Sequence, residues 1–309
     1  MIEPGVNGMT EQARAPMTEV GAGAAPAAHH AARRPSTRRA LPIRAELMRQ
    51  LKRRRTQGIF IVLLLLPLIL VLAFWIGGGD DGTTTGAATF VDLAQQSGAN
   101  LTVFTMFAST GFLLIVIVAL FAGDTVPSEA SWSSLRYLLA APVRRERLLR
   151  QKIIVAAISS VVALVFLPAW TLLVGGIAYG WGAYVGPTGE QLTLGVFVGR
   201  LAIIVGYSLV SLLVVGSFAF LLGVLTDAPL AAVGGAVLLM ILSAILDQIP
   251  ALGGIRQGLP GHYAYDWSDA LSPTIDFSDM ATGALWSIGY AVLLTGIAFW
   301  HFLRKDITS

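Results

Sequence analysis

Few residues in this chain could do covalent chemistry. It has no cysteine, so thiol chemistry, disulfides and cysteine metal sites are excluded. Its four histidines, His29, His30, His262 and His301, show no metal-ligand spacing. An intramembrane hydrolase would need a nucleophile with a base, or metal ligands, inside an apolar run. No His-Glu-x-x-His, Gly-x-Ser-x-Gly or acidic pair occurs there. The Gly-x-x-x-x-Gly-Lys-Ser/Thr loop that cradles nucleotide phosphates is absent as well. The chain therefore reads as a non-enzyme that binds no cofactor or metal itself. If ATP powers it, the ATPase is another polypeptide. The ionisable residues beside apolar runs have structural readings. Asp247 is an outer cap or interface residue, Arg200 snorkels outward, and His301 lies near the end of the last run.

What remains is recognition. Residues 123–152 read GDTVPSEASWSSLRYLLAAPVRRERLLRQK. After Glu129 comes a helical stretch in which Leu135, Leu138, Leu139 and Val143 can share an apolar face. Pro142 interrupts it and turns the chain. Arg144 and Arg145 follow it, and with Arg147 they form a basic rim; a second basic helix, Glu146 to Lys152, runs on into an apolar stretch. An amphipathic element of this kind suits a groove on a soluble partner. A basic loop lying on lipid headgroups is the blander reading of the same composition.

The elements that position this loop are six apolar runs: Ile59–Ile76, Leu101–Ala122, Ile153–Ala178, Leu201–Leu225, Pro229–Leu246 and Ala284–Leu303. About 20 apolar residues cross the roughly 30 Å of bilayer hydrocarbon. In lipid every backbone polar group must pair within its segment, so the runs are expected to be helices. They do not alternate as barrel strands would. The chain is 55% apolar and 13% charged, too poor in charge for a soluble domain of this size.

Orientation follows from the basic residues. Of 21 lysines and arginines, 19 fall in the N-terminal tail, the 123–152 loop or the C-terminus. The positive-inside rule then puts both termini in the cytoplasm. The +3 net charge argues nothing about nucleic acid, and none is expected as a partner.

Residues 1–41, rich in Ala, Gly, Pro and Arg, are expected to be a disordered cytoplasmic tail. Residues 42–57 read as one basic amphipathic helix. Ile43, Leu47 and Leu51 make its apolar stripe, with Met48 beside them, and Lys52 and Arg53 belong to its basic face. Such a helix lies in the headgroup layer of a lipid membrane. Residues 58–309 form the six-helix domain. Pro67 and Pro168 should bend their helices or free a carbonyl. Ala231, Ala232, Gly234, Gly235 and Ala236 let a neighbouring helix approach closely. The outer loop, residues 250–283, carries Tyr263, Tyr265 and Trp267, and short interfacial or re-entrant helices are expected in it.

The inner loop resembles that of ABC-2 type transporter permeases. The matching residues are Glu129, Leu135, Leu138, Leu139, Ala140, Pro142, Val143, Arg145, Leu148, Leu149 and Lys152. The tail Phe302-Leu303-Arg304-Lys305-Asp306-Ile307 looks like the Phe-x-Arg-Arg-Asp-Ile ending of the same group. Ser131-Trp132-Ser133-Ser134 departs from the usual Gly-Thr. The resemblance implies an all-α membrane protein with the type V exporter-like fold: six transmembrane helices, a surface helix before the first, and a coupling helix between the second and third. It implies a second permease copy or paralogue, and a separate ABC ATPase that holds ATP and Mg. The expected setting is a bacterial plasma membrane, and the expected cargo of such an exporter is amphipathic or lipophilic. A carrier or channel without an ATPase, and a membrane scaffold, are the competing readings.

Overall fold

A computed structural model of the chain describes residues 43–77, 90–125, 145–226 and 228–304. Helix α1 spans Ile43–Leu51 and α2 spans Arg54–Gly77. A short α3, Phe90–Ala94, precedes α4, Gly98–Thr110, and α5, Leu113–Gly123. Helix α6 runs 35 residues, Arg145–Tyr179. A two-stranded antiparallel hairpin follows, β1 Tyr184–Val185 and β2 Gln191–Leu192. Then come α7 Leu194–Ser211, α8 Leu213–Thr226 and α9 Pro229–Asp247. Two 3₁₀ helices, Pro250–Gly258 and Asp266–Leu271, lead to α10, Ser278–Arg304.

Five helical segments are long and apolar enough to cross a membrane, or six spans if the bent pair α4–α5 counts as one. This is the make-up of a helical multi-pass membrane protein. Burial supports it. Helix α2 buries only Thr56, Ile59, Leu63 and Pro67, a stripe of one residue per turn. Ile61, Val62, Leu64, Leu65, Ile69 and Leu72 are exposed around it. An apolar patch of that length is untenable in water but ordinary against lipid tails. Helix α9 likewise buries Ala232, Ala236, Met240 and Ser243 and exposes the rest of its large apolar side chains in part or in full. Helix α8 is central, packed against α5, α9 and α10, while α6 is packed by α2, α4 and α5.

Several boundaries differ from the sequence reading. The 42–57 helix is two elements, because α1 stops at Leu51 and α2 already begins at Arg54. Lys52 and Arg53 occupy the break, where the chain turns into the first span. The second apolar run is not one straight helix. It breaks at Gly111–Phe112, and the axes of α4 and α5 differ by 58°. Helices α2 and α6 run through Pro67 and Pro168, and Trp170 Nε1 donates to the Leu64 carbonyl (2.9 Å) just before Pro67. The fourth run starts earlier than expected, which places Arg200 inside α7.

The small residues serve close approach, as in the α4–α6 pair. A Cβ on Gly98 would lie 2.5 Å from the Gly176 backbone nitrogen, and Gly176 in turn carries the Trp181 ring. That backbone cannot yield without parting the helices, so Gly98→Ala should cost about 1–3 kcal/mol by overpacking. A drop of several degrees in the thermal midpoint of the detergent-purified protein would show it. Ala232 packs on Gly123 and Gly235 on Leu222, whereas Ala231 and Gly234 face outward.

Candidate functional site

The loop singled out by the sequence is held at both ends by charge. Asp124 follows α5, and its carboxylate receives Arg55 Nη1 at 2.7 Å and Arg53 Nη1 at 3.3 Å. Both arginines come from the α1–α2 junction. Thr125, next in the chain, offers its carbonyl to Lys152 Nζ at 2.8 Å, and Lys152 is buried. Lys152 lies in α6, where the loop returns. Three chain segments therefore meet at the base of the loop, and the clamp closes it between residues 125 and 152. Burial pushes the Asp124 carboxyl above the usual carboxylate range even though Arg55, Arg53 and Lys152 pull it down. Desolvation outweighs the three cations, as expected where a carboxylate is taken out of water. A small crevice beside the clamp is lined by Gln50, Thr56, Ile59 and Phe121.

Of the residues proposed for partner contact, Glu129, Leu135, Leu138, Leu139, Pro142, Val143 and Arg144 lie outside the described residues. Arg145 begins α6, and Arg147 is exposed five residues before Lys152. On α1, Leu47 is half-buried while Met48 and Leu51 are exposed, an apolar edge in reach of lipid. Lys52 is exposed, and Arg53 pairs with Asp124. Sequence reasoning missed Asp124. Its signal was visible only as an acid at the end of an apolar run, across the chain from a strongly basic segment.

A second polar assembly sits at the other end of α9. Residues 250–272 fold back into the bundle, and side chains from the spans satisfy their backbone. Tyr207 donates to the Tyr263 carbonyl (2.7 Å) and Tyr290 to the Gly258 carbonyl (2.5 Å). Ser243 Oγ accepts from Gly261 N–H (2.9 Å). Arg200, expected to snorkel outward, instead donates to the carbonyls of Ala270 (2.8 Å) and Ser272 (3.2 Å). Non-helical backbone survives among spanning helices only when it is paired inside protein in this way. Tyr207 lies roughly 20 Å along α7 from Leu194 at 1.5 Å per residue, so the segment reaches about the middle of the 33-residue span Leu194–Thr226. There it meets the break in the second span. The Tyr265 hydroxyl occupies the place of a Cβ on Gly111, 2.6 Å from it. Tyr265 stacks on Phe107, and the Trp267 ring lies 4.4 Å from the same Phe107. A larger residue at 111 would strike Tyr265, which gives the glycine a packing reason.

The same segment brings ionisable groups together. His262 Nδ1 is 2.5 Å from Asp247 Oδ1, and Arg256 Nε is 3.4 Å from that oxygen. Asp247 is thus a pairing residue as well as the end of α9. Burial pushes Asp266 up to about 6, helped by the negative Asp269, Asp279 and Asp247 and opposed by His262. Asp266 holds its proton to higher pH when docked than when free, where its value is 3.8. Its contribution to stability is therefore full below pH 3.8, falls as pH rises towards 6, and stays low above that. Asp266→Asn should raise the thermal midpoint more at pH 7.5 than at pH 4.5. An equal shift at both would show that Asp266 does not titrate this way. No group of three metal-ligating side chains occurs among the described residues.

The comparisons with known proteins assign no function. No curated protein matches the chain. A family model described as a protein of unknown function (DUF2705) matches residues 59–308, which covers all the spans. The chain belongs to the DUF2705 family.

Proposed function

We propose that this protein is the transmembrane permease subunit of an ATP-driven exporter. It has the six-span ABC-2 arrangement with both termini in the cytoplasm of a bacterium, and a separate ATPase docks on the 123–152 loop. The observation that supports this most is the clamp of Arg53, Arg55, Asp124 and Lys152. A partner that moves the loop would pull at once on the α1–α2 junction, on α5 and on α6. A loop meant only to lie on lipid has no need of such a tie. In this reading Leu138, Leu139 and Val143 make the apolar contact, Pro142 the turn, and Arg144, Arg145 and Arg147 the charge complementarity. Glu129 tethers the coupling helix. A second permease copy or paralogue completes the path, and ATP and Mg sit on the partner ATPase. The cargo is amphipathic or lipophilic.

The test is the double variant Leu139→Ala, Arg145→Ala. Transport-coupled ATP hydrolysis should fall at least about tenfold, the equivalent of 1.4 kcal/mol of lost interaction, with membrane insertion intact. Wild-type transport by the double variant would remove the loop from the mechanism.

One observation favours a second reading. The break at Gly111, against which Tyr265 packs from the segment that also carries His262 and Asp266, is the kind of discontinuity that ion-coupled carriers use. A carrier of this type would transport with no ATPase present.

A further inference from the structure

Between α5, α6, the α7–α8 junction and α10 lies a cavity of about 180 Å³. Its walls are almost wholly apolar. Three hydroxyl side chains line it, and two of them are spent on their own helices: Ser160 donates to the Ala156 carbonyl and Ser217 to that of Val214, each at 3.0 Å. The third is Thr295. Gly216 keeps the floor open. Apolar cavities of about 150 Å³ stay dry and take benzene-sized ligands, so this one has room for a run of methylenes and little to hold water.

The rim names the source of the occupant. Ala157, Val161 and Leu213 line the cavity and are also exposed on the lipid-facing flank. A ligand can therefore enter sideways from the hydrocarbon. Ile153, Ala157, Ser160 and Leu164 follow one another at helical spacing along a single face of α6. Arg150 extends that face by one turn and is exposed. A hydrocarbon tail in the cavity would put its head group one helical turn or so away, beside a guanidinium.

We propose that the cavity binds the acyl chain of an anionic amphiphile, with the head group held by Arg150. The site rests on the cavity and the rim, and does not require the ATPase.

The probes are palmitic acid carrying a chain diazirine and phosphatidylglycerol carrying the same group, each photolysed with the full-length protein in neutral detergent without ATP. Labelling should saturate in the peptides 153–164 and 209–220 and be competed by unlabelled palmitic acid. Ala157→Phe, which fills the mouth from an exposed position, should cut it about fivefold. Arg150→Gln should raise the half-saturating concentration by a similar factor. Saturable labelling by palmitic acid alone identifies a free single-chain acid. Labelling by phosphatidylglycerol as well identifies a bilayer lipid. Labelling that rises linearly, spreads over the exposed faces of α2, α9 and α10, and resists unlabelled palmitic acid would overturn the proposal. Competition on the unmodified protein decides this even if a variant fails to fold. Failure here leaves the ATPase reading untouched, because no partner is present.

Discussion

Trp267→Ala should free the returning segment and lower stability by about 3–5 kcal/mol, the range for deleting a large buried aromatic. Trp267 is fully buried and packs against Phe107, and its short helix sits on α7. The expected result is a large fall in thermal midpoint, together with new protease cutting between 250 and 272. Trp267→Phe separates packing from polarity. The indole N–H has no hydrogen-bond partner among the described residues. Phenylalanine keeps most of the ring and removes that unsatisfied donor, whose burial itself costs about 1–3 kcal/mol. The phenylalanine variant should therefore stay within about 1 kcal/mol of the original. A phenylalanine variant as damaged as the alanine one would mean that the N–H, rather than the ring, holds the segment.

The second large effect is at the clamp. Asp124→Ala removes the carboxylate that Arg53 and Arg55 share, and with it a negative charge that interacts with buried Lys152. Arg53 and Arg55 keep solvent around them, with 29% and 62% of their side chains exposed, so no buried charge is stranded and the loss of the two pairs should cost about 1–2 kcal/mol. Arg55→Ala alone should cost about 0.5–1 kcal/mol, as solvent-exposed partners do. The two substitutions together should cost less than their sum, because each removes the same contact. Thermal midpoints of the four proteins in one detergent make the comparison. Strict additivity would show that Asp124 and Arg55 do not act as a pair. If the clamp transmits motion, Asp124→Ala should also depress transport more than its stability loss accounts for.

What the sequence made legible follows from range. Apolar runs of about 20 residues are local facts, so the spans and the helix Arg145–Tyr179 running out of the loop could be read directly. The α1–α2 break could not, because Lys52 to Arg55 read as an unbroken basic face. The arginines at the break pair with an acid about 70 residues away, at Asp124. The bend at Gly111 is similar. A single glycine in an apolar run is a weak signal, and the Tyr265 hydroxyl that packs against it comes from another part of the chain. His262 looked isolated among scattered histidines until the returning segment placed it on Asp247. Arg200 was misassigned for the same reason, since its carbonyl partners belong to a loop about 70 residues on.

The central claim is that a soluble ATPase works through the clamped loop. The most direct measurement is affinity purification of the intact chain in mild detergent, followed by identification of what remains bound and an ATPase assay. The account predicts a stoichiometric ATP-hydrolysing subunit that is lost with Leu139→Ala, Arg145→Ala and retained with Trp267→Phe. A pure assembly of this chain that transports without any ATPase would contradict it and give the broken second span the leading role.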